Sequence, residues 1–169
     1  MTHLNAPLNV LFLCTHNSAR SILAEALLNH LGQGRFKAYS AGSSPRENQQ
    51  PNPIGLETLA HAGVNTDGLY SKSWDVFSGP DAPHMDLIVT VCDNAAGEVC
   101  PFWPGHPAKV HWGYADPSAQ VGETAQREAF RQTLHLIRQR LELFINLPEA
   151  SLSKLTLEQS ARELAGDAA

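Results

Sequence analysis

Cys14, Arg20 and Ser21 stand within one segment, Cys14-Thr15-His16-Asn17-Ser18-Ala19-Arg20-Ser21, directly after the apolar run Val10-Leu11-Phe12-Leu13. A thiol, five intervening residues, a guanidinium and a hydroxyl between strand and helix suit nucleophilic attack on a tetrahedral oxyanion. A turn of that length presents successive backbone N–H groups to an anion, and the N-terminus of the following helix adds positive potential. Thr15, His16, Asn17, Ser18, Ala19 and Arg20 would then surround the anion, with Arg20 supplying a planar, two-pronged contact. The same field favours Cys14 as the thiolate, its reactive form. Ser21 is expected to hydrogen-bond the Cys14 sulfur, and Asn17 to hold the loop through side-chain to backbone bonds. His16 either lines the anion site or faces solvent.

A strand and a helix must hold this segment from its two ends. Residues 8–13 read as a buried strand, since the apolar run is too continuous for a strand with one wet face. A helix is expected from about Ala19, with Leu23, Leu27, Leu28 and Leu31 on one face and Gly32 as its stop. Residues 37–40 read as a short second strand ending in Ala41-Gly42-Ser43-Ser44-Pro45. Asn52 as cap and Pro53 at the first helical position open a helix that closes at Gly63. Residues 87–91 predict a third strand with Cys92 at its carboxyl end; residues 109–112 predict a fourth, leading to Asp116 and Pro117. A long helix follows over about 123–146, its buried stripe being Phe130, Leu134, Ile137, Leu141 and Phe144. Thr156-Leu157-Glu158-Gln159 has capping-box spacing for a short last helix, whose stripe of Leu157, Ala161 and Leu164 either docks or frays.

Strands alternating with helices predict one α/β domain in which ligands bind beyond the carboxyl ends of the strands. Cys14, Cys92 and Asp116 all fall at such ends. The 169 residues suit a single domain, and 43% apolar with 17% charged residues is ordinary for a globular chain. A net charge of −5 argues against a broad nucleic-acid-binding face, so any anion site must be local. No apolar run reaches the ~18 residues that span a bilayer, and residues 1–7 lack a basic leader. Three cysteines, an odd count, suit reactive thiols better than a disulfide framework. The expectation is a cytoplasmic protein with neither nucleic acid nor membrane as partner.

These motifs, with Tyr39-Ser40-Ala41-Gly42, Val89-Thr90-Val91-Cys92, His111-Trp112-Gly113 and Asp116-Pro117, make the chain resemble the low-molecular-weight tyrosine phosphatase superfamily, more closely its arsenate reductase branch. The resemblance runs from about Leu8 to Phe144. It departs at His16, where a glycine is common, and at Ala19, where a second cysteine is often found. It implies a three-layer domain with a four-stranded parallel sheet over residues 1–148, followed by an extension over 149–169. It also implies that Asp116 protonates the leaving oxygen, and that arsenate is the substrate, with phosphate and sulfate as mimics.

In that branch Cys92 would attack Cys14 and Cys100 would then attack Cys92, an external thioredoxin or glutaredoxin/glutathione reducing the resulting disulfide. No bound cofactor is implied, although Asn17, Glu25 and Ser40 match a potassium site of some relatives. Cys100 is alternatively a bystander, with a small thiol resolving the Cys14–Cys92 disulfide. A zinc site using His84, His106 or His111 meets an unusual cysteine spacing. Two further readings stay open: a phosphatase using Cys14, Arg20 and Asp116 alone, and a non-catalytic oxyanion-binding or redox-sensing module. Against the first, Ser118 and Ala119 follow Pro117 where family phosphatases carry aromatic residues. Against the second, a sensor has no need of Asp116.

Overall fold

The first strand, β1 (Leu8–Cys14), is apolar on both faces because it lies inside the sheet, between two neighbours. Val10, Phe12 and Cys14 face one apolar cluster while Leu11 and Leu13 face the other, so the strand's period-two alternation serves two cores at once. The computed structural model describes residues 7–93, 103, 108–148, 159 and 161–165. Its elements continue as α1 (Arg20–Leu31), β2 (Phe36–Gly42), α2 (Pro53–His61), β3 (Leu87–Thr90), β4 (Ala108–His111) and α3 (Glu123–Ile145). The four strands form a wholly parallel sheet in the order β2-β1-β3-β4. Fold class and sheet type are those expected.

The larger cluster joins one sheet face to the helices: Leu23 and Leu27 of α1, Leu59 of α2, and Phe130, Ile137, Leu141 and Phe144 of α3. Phe144 stacks at a tilt on Phe36 (4.9 Å between ring centres) and meets Trp112 edge-on at 5.8 Å. The opposite face is covered more thinly, by Trp74 and Phe77 of the 3-10 turn Trp74–Phe77 together with Trp103. Asn52 caps α2 as expected, its Oδ1 accepting the Ile54 N–H at 2.9 Å with Pro53 at the first helical position.

The last segment docks. Ala161 is fully buried in the larger cluster and its carbonyl accepts the Trp112 indole N–H at 2.8 Å. Leu164 packs alongside, while Leu157 and residues 156–158 lie outside the described residues. No helix among the described residues is long and apolar enough to cross a membrane.

Candidate active site

β1 and α1 deliver the Cys14–Arg20 segment to the carboxyl edge of the sheet, where it curls around the Cys14 sulfur. Cys14 is buried, and its sulfur lies 2.9 Å from Ser21 Oγ and 3.1 Å from the Asn17 N–H that donates to it. Asn17 adopts φ 58°, in the left-handed region where asparagine is among the best-tolerated residues. The loop's carbonyls are pulled outward by four donors from three other segments. Cys14 O and Thr15 O accept the N–H groups of Ser43 and Ser44, Asn17 O accepts Ser71 Oγ, and Ser18 O accepts the Asn52 N–H. With carbonyls committed outward, the loop turns its amides inward, toward an anion.

That packing leaves no room for a side chain at residue 42. A Cβ on Gly42 would stand 2.6 Å from Thr15 O and 2.9 Å from the His16 carbonyl carbon. Only glycine lets β2 approach the loop this closely.

Above the sulfur is a cavity of about 200 Å³, lined by Cys14, Thr15, His16, Ser18, Ala19 and Arg20 together with Arg46, Gln49, Asp116 and Ser118. His16 therefore lines the site. No side chain caps α1 at Ala19, so its first-turn amides are left for a ligand. Arg20 is buried, with Nη1 donating to Tyr114 O at 2.9 Å and Nη2 3.9 Å from Asp116 Oδ2. Asp116 Oδ1 accepts both the N–H and the Oγ–H of Ser118, at 3.0 and 2.7 Å, which leaves Oδ2 as the oxygen nearer Arg20. Tyr114 is fixed in turn by Arg140 Nη1, 3.0 Å from its hydroxyl, and burial pushes its phenol pKa upward. A larger groove of about 770 Å³ lies between α2 and α3, but no cysteine lines it.

The structure does not bring every expected residue to the cavity. Cys92 sits just past the end of β3, fully buried and away from the cavity wall. It is disulfide-bonded, while Cys14 is a free thiol. Cys100, like His106, lies outside the described residues. His84 is exposed, and His111 Nδ1 pairs with Thr90 Oγ1 at 2.7 Å.

Behind the loop, Asn17, Glu25 and Ser40 do converge, but around the ammonium of Lys72. Lys72 Nζ donates to Ser40 O at 3.0 Å and lies 3.8 Å from Glu25 Oε1. Asn17 Oδ1 accepts the Lys72 N–H at 3.0 Å, and its Nδ2 donates to both Ser21 Oγ and Ser40 Oγ. Ser40 Oγ donates to Glu25 Oε1 at 2.5 Å. The oxygens that would hold a potassium ion are thus committed, and a second cation would stand against the ammonium. The group does not fit potassium. Asn17 makes a side-chain to backbone bond of the expected kind, to the Lys72 N–H, and in addition ties the loop to the hydroxyls of Ser21 and Ser40.

Gly42, Ser71, Lys72, Arg46, Gln49 and Ser118 are contributions that motif reading passed over. Ser118 carried a local signal, since Asp-Pro-Ser favours an aspartate accepting the N–H two residues on. For Lys72, 47 to 55 residues from Glu25 and Asn17, no local signal exists.

The four-stranded parallel sheet and the thiol-bearing loop at its carboxyl edge agree with what sequence comparison finds. The model of low molecular weight phosphotyrosine protein phosphatases matches residues 9–158, and the chain belongs to that family. Within it, the chain is 36% identical over 125 residues to an arsenate reductase of Bacillus licheniformis, covering 73% of this chain and 84% of that protein. An arsenate reductase structure from Archaeoglobus fulgidus superposes with a TM-score of 0.65 at 29% identity, over 82% of this chain and 99% of that one. A thioredoxin-dependent arsenate reductase from Corynebacterium glutamicum superposes with a TM-score of 0.55, also at 29% identity, over 83% of this chain and 65% of that one.

Proposed function

We propose that the chain reduces arsenate to arsenite, with Cys14 as nucleophile and Cys92 and Cys100 as the thiols that carry oxidising equivalents away. The observation behind this reading is the buried Cys14 sulfur, bonded by Ser21 and the Asn17 amide at the floor of a polar cavity. Arsenate would sit against the loop amides and Arg20. The Cys14 thiolate attacks arsenic, and Asp116 protonates the departing hydroxyl, which leaves as water. Cys92 then attacks the Cys14 sulfur; the S–As electron pair stays on arsenic, which leaves as arsenite. Attack of Cys100 on Cys92 moves the disulfide off Cys14, and an external thiol reductant restores both. No bound cofactor takes part.

A free Cys14 together with a disulfide-bonded Cys92 is the redox pattern such a relay would leave after its last internal exchange. Because Cys92 is away from the cavity wall, its attack needs the two sulfurs to be brought together. Thioredoxin is the reductant favoured by the Corynebacterium neighbour, with glutaredoxin/glutathione as the competing coupling. The setting would be the reducing cytoplasm, and the role arsenic detoxification.

The test is arsenite formation from arsenate with each reductant system, on the parent and on Cys92→Ser. The variant should lose arsenite formation while keeping slow hydrolysis of a phenyl phosphate ester, which needs Cys14 alone. Arsenite produced at the parental rate by Cys92→Ser would overturn the relay. Ester hydrolysis far outrunning arsenate reduction in the parent would make the chain a phosphatase.

A further inference from the structure

The thiol-bearing loop is underpinned by a hydrogen-bond chain whose direction is determined from Lys72 as far as Ser21 and Glu25. Asn17 Oδ1 accepts the Lys72 N–H, so its Nδ2 is the end that donates to Ser21 and Ser40. Ser21 Oγ, already accepting from Asn17, keeps its own proton, and toward the Cys14 thiolate, which has none to give, it can only donate across the 2.9 Å that separate them. Ser40 Oγ likewise accepts from Asn17 and gives its proton to Glu25. Glu25 and Ser40 O both lie against the Lys72 ammonium, and the Tyr70 ring centre is 4.2 Å from Nζ. Asn17, Ser21 and Ser40 are fully buried, while Glu25 is partly exposed along a pocket of about 220 Å³.

We propose that the Lys72 ammonium acts as a built-in monovalent cation that holds Glu25 and Ser40 and, through Asn17 and Ser21, keeps a hydrogen bond donated to Cys14. An ammonium and a potassium ion share charge and approximate size, and both favour carbonyl and carboxylate oxygens. A tethered one is always present. The cost is desolvation: burial lowers the Lys72 pKa and raises that of Glu25, while the opposite charge of each partner counters the shift. Lys72 is therefore a positioning residue. This role concerns the nucleophile alone, and it holds whichever oxyanion proves to be the substrate.

The readout is alkylation of Cys14 by iodoacetamide at about pH 6, where an unsupported thiol is almost wholly protonated. It is scored by peptide mass spectrometry on the fully reduced chain, so it is independent of arsenate turnover. Each protein is compared in choline, potassium and methylammonium chloride at equal ionic strength. The parent should react at one rate in all three salts. Lys72→Met, which fills the same space without charge, should react at least about tenfold more slowly in every salt, as expected when a charge-assisted hydrogen bond weakens. Lys72→Ala should be equally slow in choline and recover at least half the parental rate in potassium or methylammonium.

Saturable acceleration of the parent by potassium would overturn the proposal, because a separate cation seat would then exist. Parental reactivity of folded Lys72→Met in choline would also overturn it. Circular dichroism establishes folding. If Lys72→Ala does not fold, Lys72→Met and the potassium response of the parent decide.

Discussion

The two walls of the cavity are built on different principles. On the Cys14 wall, four loop carbonyls are held from outside and Gly42 backs the loop at van der Waals contact. Opposite, Asp116 is over a third exposed, its side chain hydrogen-bonded among the described residues by Ser118, 3.9 Å from Arg20. In the proposed reaction the first wall holds the oxyanion through fixed amides, a task that rigidity favours. The second must release a proton, admit a leaving group and, in the proposed reaction, let a second thiol approach. Preorganisation is concentrated where charge must be stabilised, and freedom is left where groups must arrive and depart.

Breaking the rigid wall from behind should have the largest effect. In Gly42→Ala the added methyl meets backbone atoms of Thr15 and His16, which cannot swing aside as a side chain would. Turnover is expected to fall ~100-fold or more, comparable with losing an oxyanion donor. Stability should fall by ~1–3 kcal/mol from overpacking. Protection of Cys14 from alkylation by phosphate should disappear with it. A variant that retains both phosphate protection and turnover would show that the loop tolerates displacement.

Loosening the second wall should cost less. Ser118→Ala frees Asp116 Oδ1 of its hydroxyl donor while the Ser118 backbone N–H bond survives. A fall of ~10-fold in kcat, with KM nearly unchanged, is the expected signature of a misdirected proton donor. A rise in KM at constant kcat would instead place Ser118 in anion binding.

The smallest effect lies beneath the loop and is a matter of stability and pH. Burial raises the Glu25 pKa above its ordinary 4.5 in the folded chain, with Ser40 and Lys72 opposing the shift. As pH rises from below 4.5 through the folded value, the unfolded chain gives up this proton first, and stability is lost. Urea unfolding of the parent relative to Glu25→Gln should therefore show a parental advantage that shrinks between about pH 4 and 7. A difference that stays flat or grows over that range would contradict the assignment.

Much of this molecule is written locally. The continuous apolar run of β1 requires burial on both faces, and Asn52-Pro53 starts α2 where a cap and a pre-set φ place it. Cys14 ends β1 while Arg20 and Ser21 open α1, so spacing within one strand-loop-helix unit already puts Ser21 near the Cys14 sulfur and Arg20 at the same cavity. The alternation of elements also predicts parallel strands. It does not say that β1 lies between β2 and β3, which hydrogen bonding between distant segments settles.

What only the tertiary structure decided is the loop's support. Ser43, Ser44, Asn52 and Ser71 reach its carbonyls from 29 to 54 residues away, and Lys72 takes the position that motif reading assigned to potassium. A lysine in a loop reads as a solvated charge because most are. Its burial follows from the packing of β2, α1 and the 70–72 segment around it, which no local pattern encodes. Local sequence determines which groups can react. The folded chain determines which of their polar partners are already taken, because hydrogen-bonding capacity is finite and is allotted only when distant segments meet.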